Sequence, residues 1–161
     1  MIDVHACLML YHLLFLTVRI WRKEKHLKDC PVHFFTSHFY TALSKDGPKA
    51  VASWTARKKI DVFTKKFIFI PVNQSLHWSL CVVVNPGAIL NNLREFNEAP
   101  ADEELYPCIF FFDSLKAHQK QVVARNIRNW LNSEWKRLQK SKHEHPFNDN
   151  SLQVHDPKGK Q

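Results

Sequence analysis

The chain has 161 residues, is 45% hydrophobic, and carries a formal net charge of +8 with a pI near 9.4. That is enough for one domain with one core and small for two. The charge favours an acidic partner (nucleic acid, anionic membrane or acidic protein) without choosing among them. The three glycines form neither GxGxxG nor GxxxxGK, which argues against a Gly-rich phosphate loop. The four cysteines, Cys7, Cys30, Cys81 and Cys108, are scattered with no CxxC. Zinc and disulfide frameworks are therefore poor readings, and a reducing compartment is expected.

In chain order, "ACLMLYHLLFLTV" (6–18) is apolar and uncharged. It is shorter than the roughly 18–20 residues of a membrane span. Asp3, with no Lys or Arg, precedes it, unlike a signal peptide. The expectation is a buried amphipathic helix over 2–27, broken at Cys30-Pro31. Residues 32–45 carry Phe35, Phe39 and Leu43 at i, i+4 and i+8, a helical spacing. "DGP" (46–48) reads as a turn, and 49–59 as a short helix.

The pattern then changes. "KFIFIPV" (66–72), "HWSLCVVV" (77–84) and "CIFFFD" (108–113) are short, β-branched, aromatic and almost continuously apolar. They are expected to be strands buried on both faces of a sheet. The Pro-punctuated, increasingly acidic stretch 85–107 reads as a surface insertion between two of them. Residues 115–142 give the clearest helix, with Val123, Ile127, Trp130, Leu131 and Leu138 in one stripe. Ser114 is a candidate cap for its start. Residues 116–142 hold eight Lys or Arg against one Glu, a net of +7. After Lys142 the chain turns polar. The domain reading is one domain over 1–145 and a polar tail over 146–161.

Two residues suggest chemistry. Asp113 ends an apolar run, where an ionised carboxylate is costly unless something donates to it. His77 begins a strand. If the two strands are antiparallel neighbours, the start of one lies beside the end of the other. The Asp would then hold the imidazole in one tautomer, as a general base requires. On patterning alone, a His followed by Trp at a strand start is more often just a half-buried pair, and an Asp ending a strand just a helix cap.

"FIFIPVNQSLHWSLCVVVNPG" (67–87) with "CIFFFDSL" (108–115) resembles the core of the SUMO-specific (Ulp/sentrin-specific) cysteine protease family. In that family "IPVN", "HW", a hydrophobic strand and a strand ending in Asp-Ser follow in this order. "VHFFTSHFYTALS" (32–44) and "NIRNWLNSEWKRL" (126–138) resemble its flanking helices, and "MID" (1–3) the end of its Leu-Asn-Asp segment. The long spacer between His and Asp looks like the Ulp2-type branch. The resemblance implies an α+β papain-like, adenain-like fold with a small central sheet packed by helices. It implies His77 as general base, Asp113 as its orienting residue and Trp78 over the channel for a Gly-Gly tail. It implies SUMO or another ubiquitin-like protein and its conjugates as partner, no cofactor, no metal, no membrane, and a nuclear or cytoplasmic site with the nucleus favoured.

The family's nucleophile lies in a Gln-x-Asn-x-x-Asp-Cys-Gly segment beyond the last helix, and the chain holds no such segment. Cys81 is four residues along the same strand as His77, about 13 Å away at ~3.3 Å per residue. Cys108 lies at the far end of its strand from Asp113, Cys7 and Cys30 belong to the N-terminal part, and Gln161 sits too early for the oxyanion-hole Gln. The expectation is a domain truncated before its catalytic Cys and inactive as it stands. The alternative is a non-catalytic basic module binding acidic protein or nucleic acid through the 115–142 helix. A metal site from His143, His145 and His155 is weak, because the spacing matches no ligand pattern.

Overall fold

A computed structural model describes residues 30–89, 106–140 and 145–156. The helix expected over 2–27 and most of the 85–107 insertion lie outside them. Strand β1, Val32–Phe34, leads into helix α1, Ser37–Asp46, and helix α2, Pro48–Ala56. A 3-10 turn at Val62–Thr64 precedes the hairpin of β2, Phe67–Gln74, and β3, His77–Val84. Strand β4, Cys108–Phe112, helix α3, Lys120–Arg137, and strand β5, Gln153–His155, complete the order. Among the described residues no helix is long and apolar enough to cross a membrane.

The five strands form one sheet in sequence order. β1 runs parallel to β2, β2–β3 and β3–β4 are antiparallel, and β5 runs parallel to β4. Strand alternation sorts the side chains. Ile68, Ile70, Val72, Cys81, Val83, Ile109 and Phe111 face the helices and pack with Phe39, Leu43, Val51, Val123, Ile127, Trp130 and Leu131. Leu80, Val82 and Val84 form a second cluster with Phe67, Phe69, Cys108, Phe110 and Phe112 on the other face. Both faces of β3 are buried, which is why its sequence shows no alternation.

The α+β class and the three central strands agree with the sequence reading. Three local expectations change. Residues 32–34 are a strand, not the start of the helix. Pro31 C=O accepts the N–H groups of Lys66 and Phe67 (2.7 and 3.1 Å), which aligns this segment beside β2 before α1 begins. The Phe35, Phe39, Leu43 stripe nevertheless packs into the core as its spacing implies. The last helix starts at Lys120 rather than 115, and its start has no side-chain cap from Ser114. Finally, the polar segment after α3 is not a free tail. Phe147 and Leu152 are buried. Asn132 on α3 donates to Phe147 C=O (2.9 Å) and accepts from Phe147 N–H (3.0 Å), and Arg128 Nε donates to Leu152 C=O (2.9 Å). These bonds return the chain to the sheet, where β5 pairs with β4.

Candidate active site

The β3–β4 ladder ends at the pair Leu80–Phe112. One step further, Asp113 comes opposite Ser79, with His77 its diagonal neighbour. Alternation puts all three on the helix-side face, because Ser79 and His77 continue the Cys81, Val83 row and Asp113 continues Ile109, Phe111. Diagonal neighbours on one face are within reach of long side chains. His77 Nε2 and Asp113 Oδ1 lie 2.6 Å apart, with both side chains largely buried. The antiparallel geometry inferred from the sequence therefore brings the two residues together.

Asp113 is held by more than His77. Its Oδ1 also accepts the Leu115 N–H (3.2 Å) and its Oδ2 the His118 N–H (2.8 Å). Burial pushes the carboxyl pKa up, but the His118 N–H and the His77 imidazole outweigh it and hold the group below its ordinary value. Asp113 is thus an ionised acceptor, and His77 Nε2 must carry the proton between them. The lone pair of His77 then resides on Nδ1, which has no hydrogen-bond partner among the described residues. Such an imidazole can take a proton at Nδ1 while Asp113 stabilises the resulting cation.

A second histidine completes the cluster. His118 Nε2 lies 3.1 Å from Gln74 C=O and Nδ1 lies 2.8 Å from Ser79 Oγ. Its ring centroid is 4.8 Å from that of His77. The sequence reading missed both His118 and Ser79, since His118 falls in a stretch read as helix. The available signal was Ser79, a hydroxyl at i+2 from His77 in an otherwise apolar strand. His77, Asp113 and His118 offer ligand atoms within 4.8 Å of one another, close enough to hold a metal ion. However, His77 Nε2 and both nitrogens of His118 are already engaged in the hydrogen bonds above.

Trp78 is half-buried on β3, opposite Asn73. Alternation assigns it to the face opposite His77. Cys30, Cys81 and Cys108 are free thiols, and Cys7 lies outside the described residues. Cys81 is fully buried, and burial pushes its pKa up to about 12. A thiol in that state is inert rather than nucleophilic. Burial also pushes the Cys108 thiol up. Of the three histidines weighed as a metal site, His143 lies outside the described residues, while His145 and His155 belong to no metal-sized cluster among them.

Among the described residues, four of the eight cations of 116–142 are paired within the fold. Lys120 pairs with Asp156, Arg128 with Asp149, Arg137 with Glu134 and Lys140 with Asp61. Arg128 is buried, and the buried Glu134 also accepts from Thr55 Oγ1 (2.8 Å). Lys120 and Arg128 tie α3 to the segment 149–156, Lys140 ties the chain after α3 to Asp61, and Arg137 pairs within the helix, so these four do not converge on one docking surface.

Solved structures share this architecture. One described as a de-sumoylating protease superposes with a TM-score of 0.58 at 25% identity, covering 84% of this chain and 46% of that one. The C-terminal Ulp1 protease domain, solved in complex with Smt3, the yeast ortholog of SUMO, superposes at 0.53 with 22% identity, covering 80% of this chain and 48% of that one. The fold is therefore the papain-like fold of the Ulp1-type SUMO proteases. A family model described as the Ulp1 protease family, C-terminal catalytic domain, matches residues 8–156, and the chain belongs to that family. Its relatives include the probable ubiquitin-like-specific proteases 2A and 2B of Arabidopsis thaliana. They are 30% and 33% identical over 88% and 81% of this chain. The chain spans 18% and 14% of the length of those two proteins. Sentrin-specific protease 7 of Homo sapiens is 28% identical over 64% of the chain, which spans 15% of it. The type-2 relatives agree with the Ulp2-like branch expected from the long spacer between His77 and Asp113.

Proposed function

We propose that this chain is the base-bearing part of a cysteine-type protease domain that acts on SUMO or a similar ubiquitin-like protein. His77 is the general base, using Nδ1, and Asp113 orients it and stabilises its protonated form. Trp78 forms an aromatic wall over the channel for the substrate's Gly-Gly tail. The observation that carries this reading is the 2.6 Å bond between His77 and Asp113 in a chain of this family. The partner class rests on the family and on the relatives' names. A nuclear or cytoplasmic location is proposed on the same ground, with the nucleus favoured.

Acyl transfer by this route needs a thiolate within reach of His77 and donors aimed at the developing oxyanion. None of the described thiols meets the first requirement: Cys81 is buried four residues along β3, Cys108 begins β4, and Cys30 precedes β1. We therefore propose that the 161-residue chain alone is inactive and that nucleophile and oxyanion donors come from outside it. Losing one oxyanion donor typically costs about 10²–10³ in rate, and losing the nucleophile removes the covalent path. The test is incubation of the purified chain with a SUMO–fluorophore substrate, with and without a thiol alkylator. Background turnover is expected in both arms. Turnover abolished by alkylation would identify one of Cys7, Cys30, Cys81 or Cys108 as a working nucleophile and overturn the proposal of inactivity.

A further inference from the structure

The His77–Asp113 pair sits beside a loop, 113–119, that leaves the sheet at the end of β4 and reaches α3 only at Lys120. Lys116 in that loop has φ of 52°, a left-handed conformation that a lysine adopts at some cost. Something must hold such a loop in place. The side chain of His118 reaches back to two strands at once, bonding Ser79 Oγ on β3 and Gln74 C=O on β2. Gln74 is paired with His77 across the hairpin.

The chemistry of these partners fixes the protons. A backbone carbonyl only accepts, so His118 Nε2 carries a proton and donates to Gln74 C=O. In the neutral imidazole Nδ1 then accepts, and the Ser79 hydroxyl donates to it. Both ring nitrogens are satisfied in one tautomer. The same residue's backbone N–H donates to Asp113 Oδ2 at 2.8 Å, while Asp113 Oδ1 meets His77 Nε2 at 2.6 Å. The charged or titratable groups facing Asp113 are His77 from β3 and His118 from its own loop.

We propose that His118 is a positioning residue for the pair: by anchoring its imidazole on Ser79 and Gln74, it aims its backbone N–H at Asp113, locking the carboxylate on His77 Nε2 and leaving Nδ1 as the base. As a statement about catalysis this rests on the protease reading; as a statement about the hydrogen-bond chain it does not. Removing the imidazole leaves the His118 N–H in the chain but frees the loop that aims it. Asp113 then loses its Oδ2 donor, and the hold on the His77 tautomer weakens with it.

The experiment is NMR on the folded chain, labelled at histidine nitrogens and aspartate carboxyls, comparing wild type with His118→Ala, Ser79→Ala and His118→Gln. In the wild type the His77 Nε2–H should be a protected, downfield resonance. His118→Ala should lose that resonance to solvent exchange and move the Asp113 titration upward. Ser79→Ala should shift both signals in the same direction by less. His118→Gln, whose amide can still donate to Gln74 C=O, should recover part of the wild-type behaviour. An unchanged Asp113 titration and His77 resonance in His118→Ala, with Gln74–His77 cross-strand contacts intact, would overturn the proposal. If His118→Ala does not fold, Ser79→Ala decides by the same two signals. Binding of a SUMO-like protein, measured separately on the wild type, reports on the protease reading and can fail while these signals stand.

Discussion

Among single residues, Asp113 is the pivot of the site: it accepts from His77, Leu115 and His118. Its folded pKa is depressed, so its contribution to stability is complete above the ordinary carboxylate value. That contribution is lost as the pH falls through the depressed folded value. Asp113→Asn should therefore flatten the acid limb of a stability-against-pH curve measured by denaturant unfolding. An acid limb identical to wild type would mean that the carboxylate is not held as described. Cys81 offers the opposite test. With its thiol buried and its pKa near 12, it should resist iodoacetamide in the native chain and react only after unfolding. Mass-spectrometric mapping of alkylated sites decides this, with the half-buried Cys108 as internal comparison.

Elements set where these residues stand. The β2–β3 hairpin closes through Ser75 and Leu76, both with positive φ (52° and 60°), where Asn-Gly is the preferred pair. Leu76 is fully exposed and packs on nothing, yet it sits in a conformation that costs a non-glycine residue about 1–2 kcal/mol. Leu76→Gly is thus expected to raise stability by about 1 kcal/mol in urea unfolding. A loss of stability would show that the turn is not under this strain. The hairpin also shows what could be read beforehand. The strand starting at His77 and the one ending at Asp113 were legible because their apolar runs have sharp ends, and antiparallel pairing then fixes who meets whom. Val32–Phe34 was not legible as a strand, because the helical spacing of Phe35, Phe39 and Leu43 runs straight on from it. The loop holding His118 was hidden for a similar reason: residues 115–119 look compatible with a helix, and only tertiary bonds to Ser79 and Gln74 pull them out of one. Phe147 and Leu152 lie in a polar stretch, and their burial depends on Arg128 and Asn132, whose inward orientation the composition of α3 does not reveal.

For the whole molecule, the sheet keeps β4 between β3 and β5; β5 pairs with Cys108–Phe110, while the end of β4 that carries Asp113 is held by its pairing with β3 and by the bonds of the 113–119 loop. The +8 charge suggests a docking feature, but three cations of α3 and Lys140 just beyond it are spent on internal ion pairs. What distinguishes a SUMO-protease site from a basic docking module is where a partner lands. The most direct measurement is an NMR titration of the isotope-labelled chain with a SUMO-like protein ending in Gly-Gly. Shift changes should centre on His77, Trp78 and Asp113 and should weaken when the terminal Gly-Gly is removed. Changes confined to the exposed face of α3 around Arg125 and Lys136, or no change at saturating partner, would contradict the account.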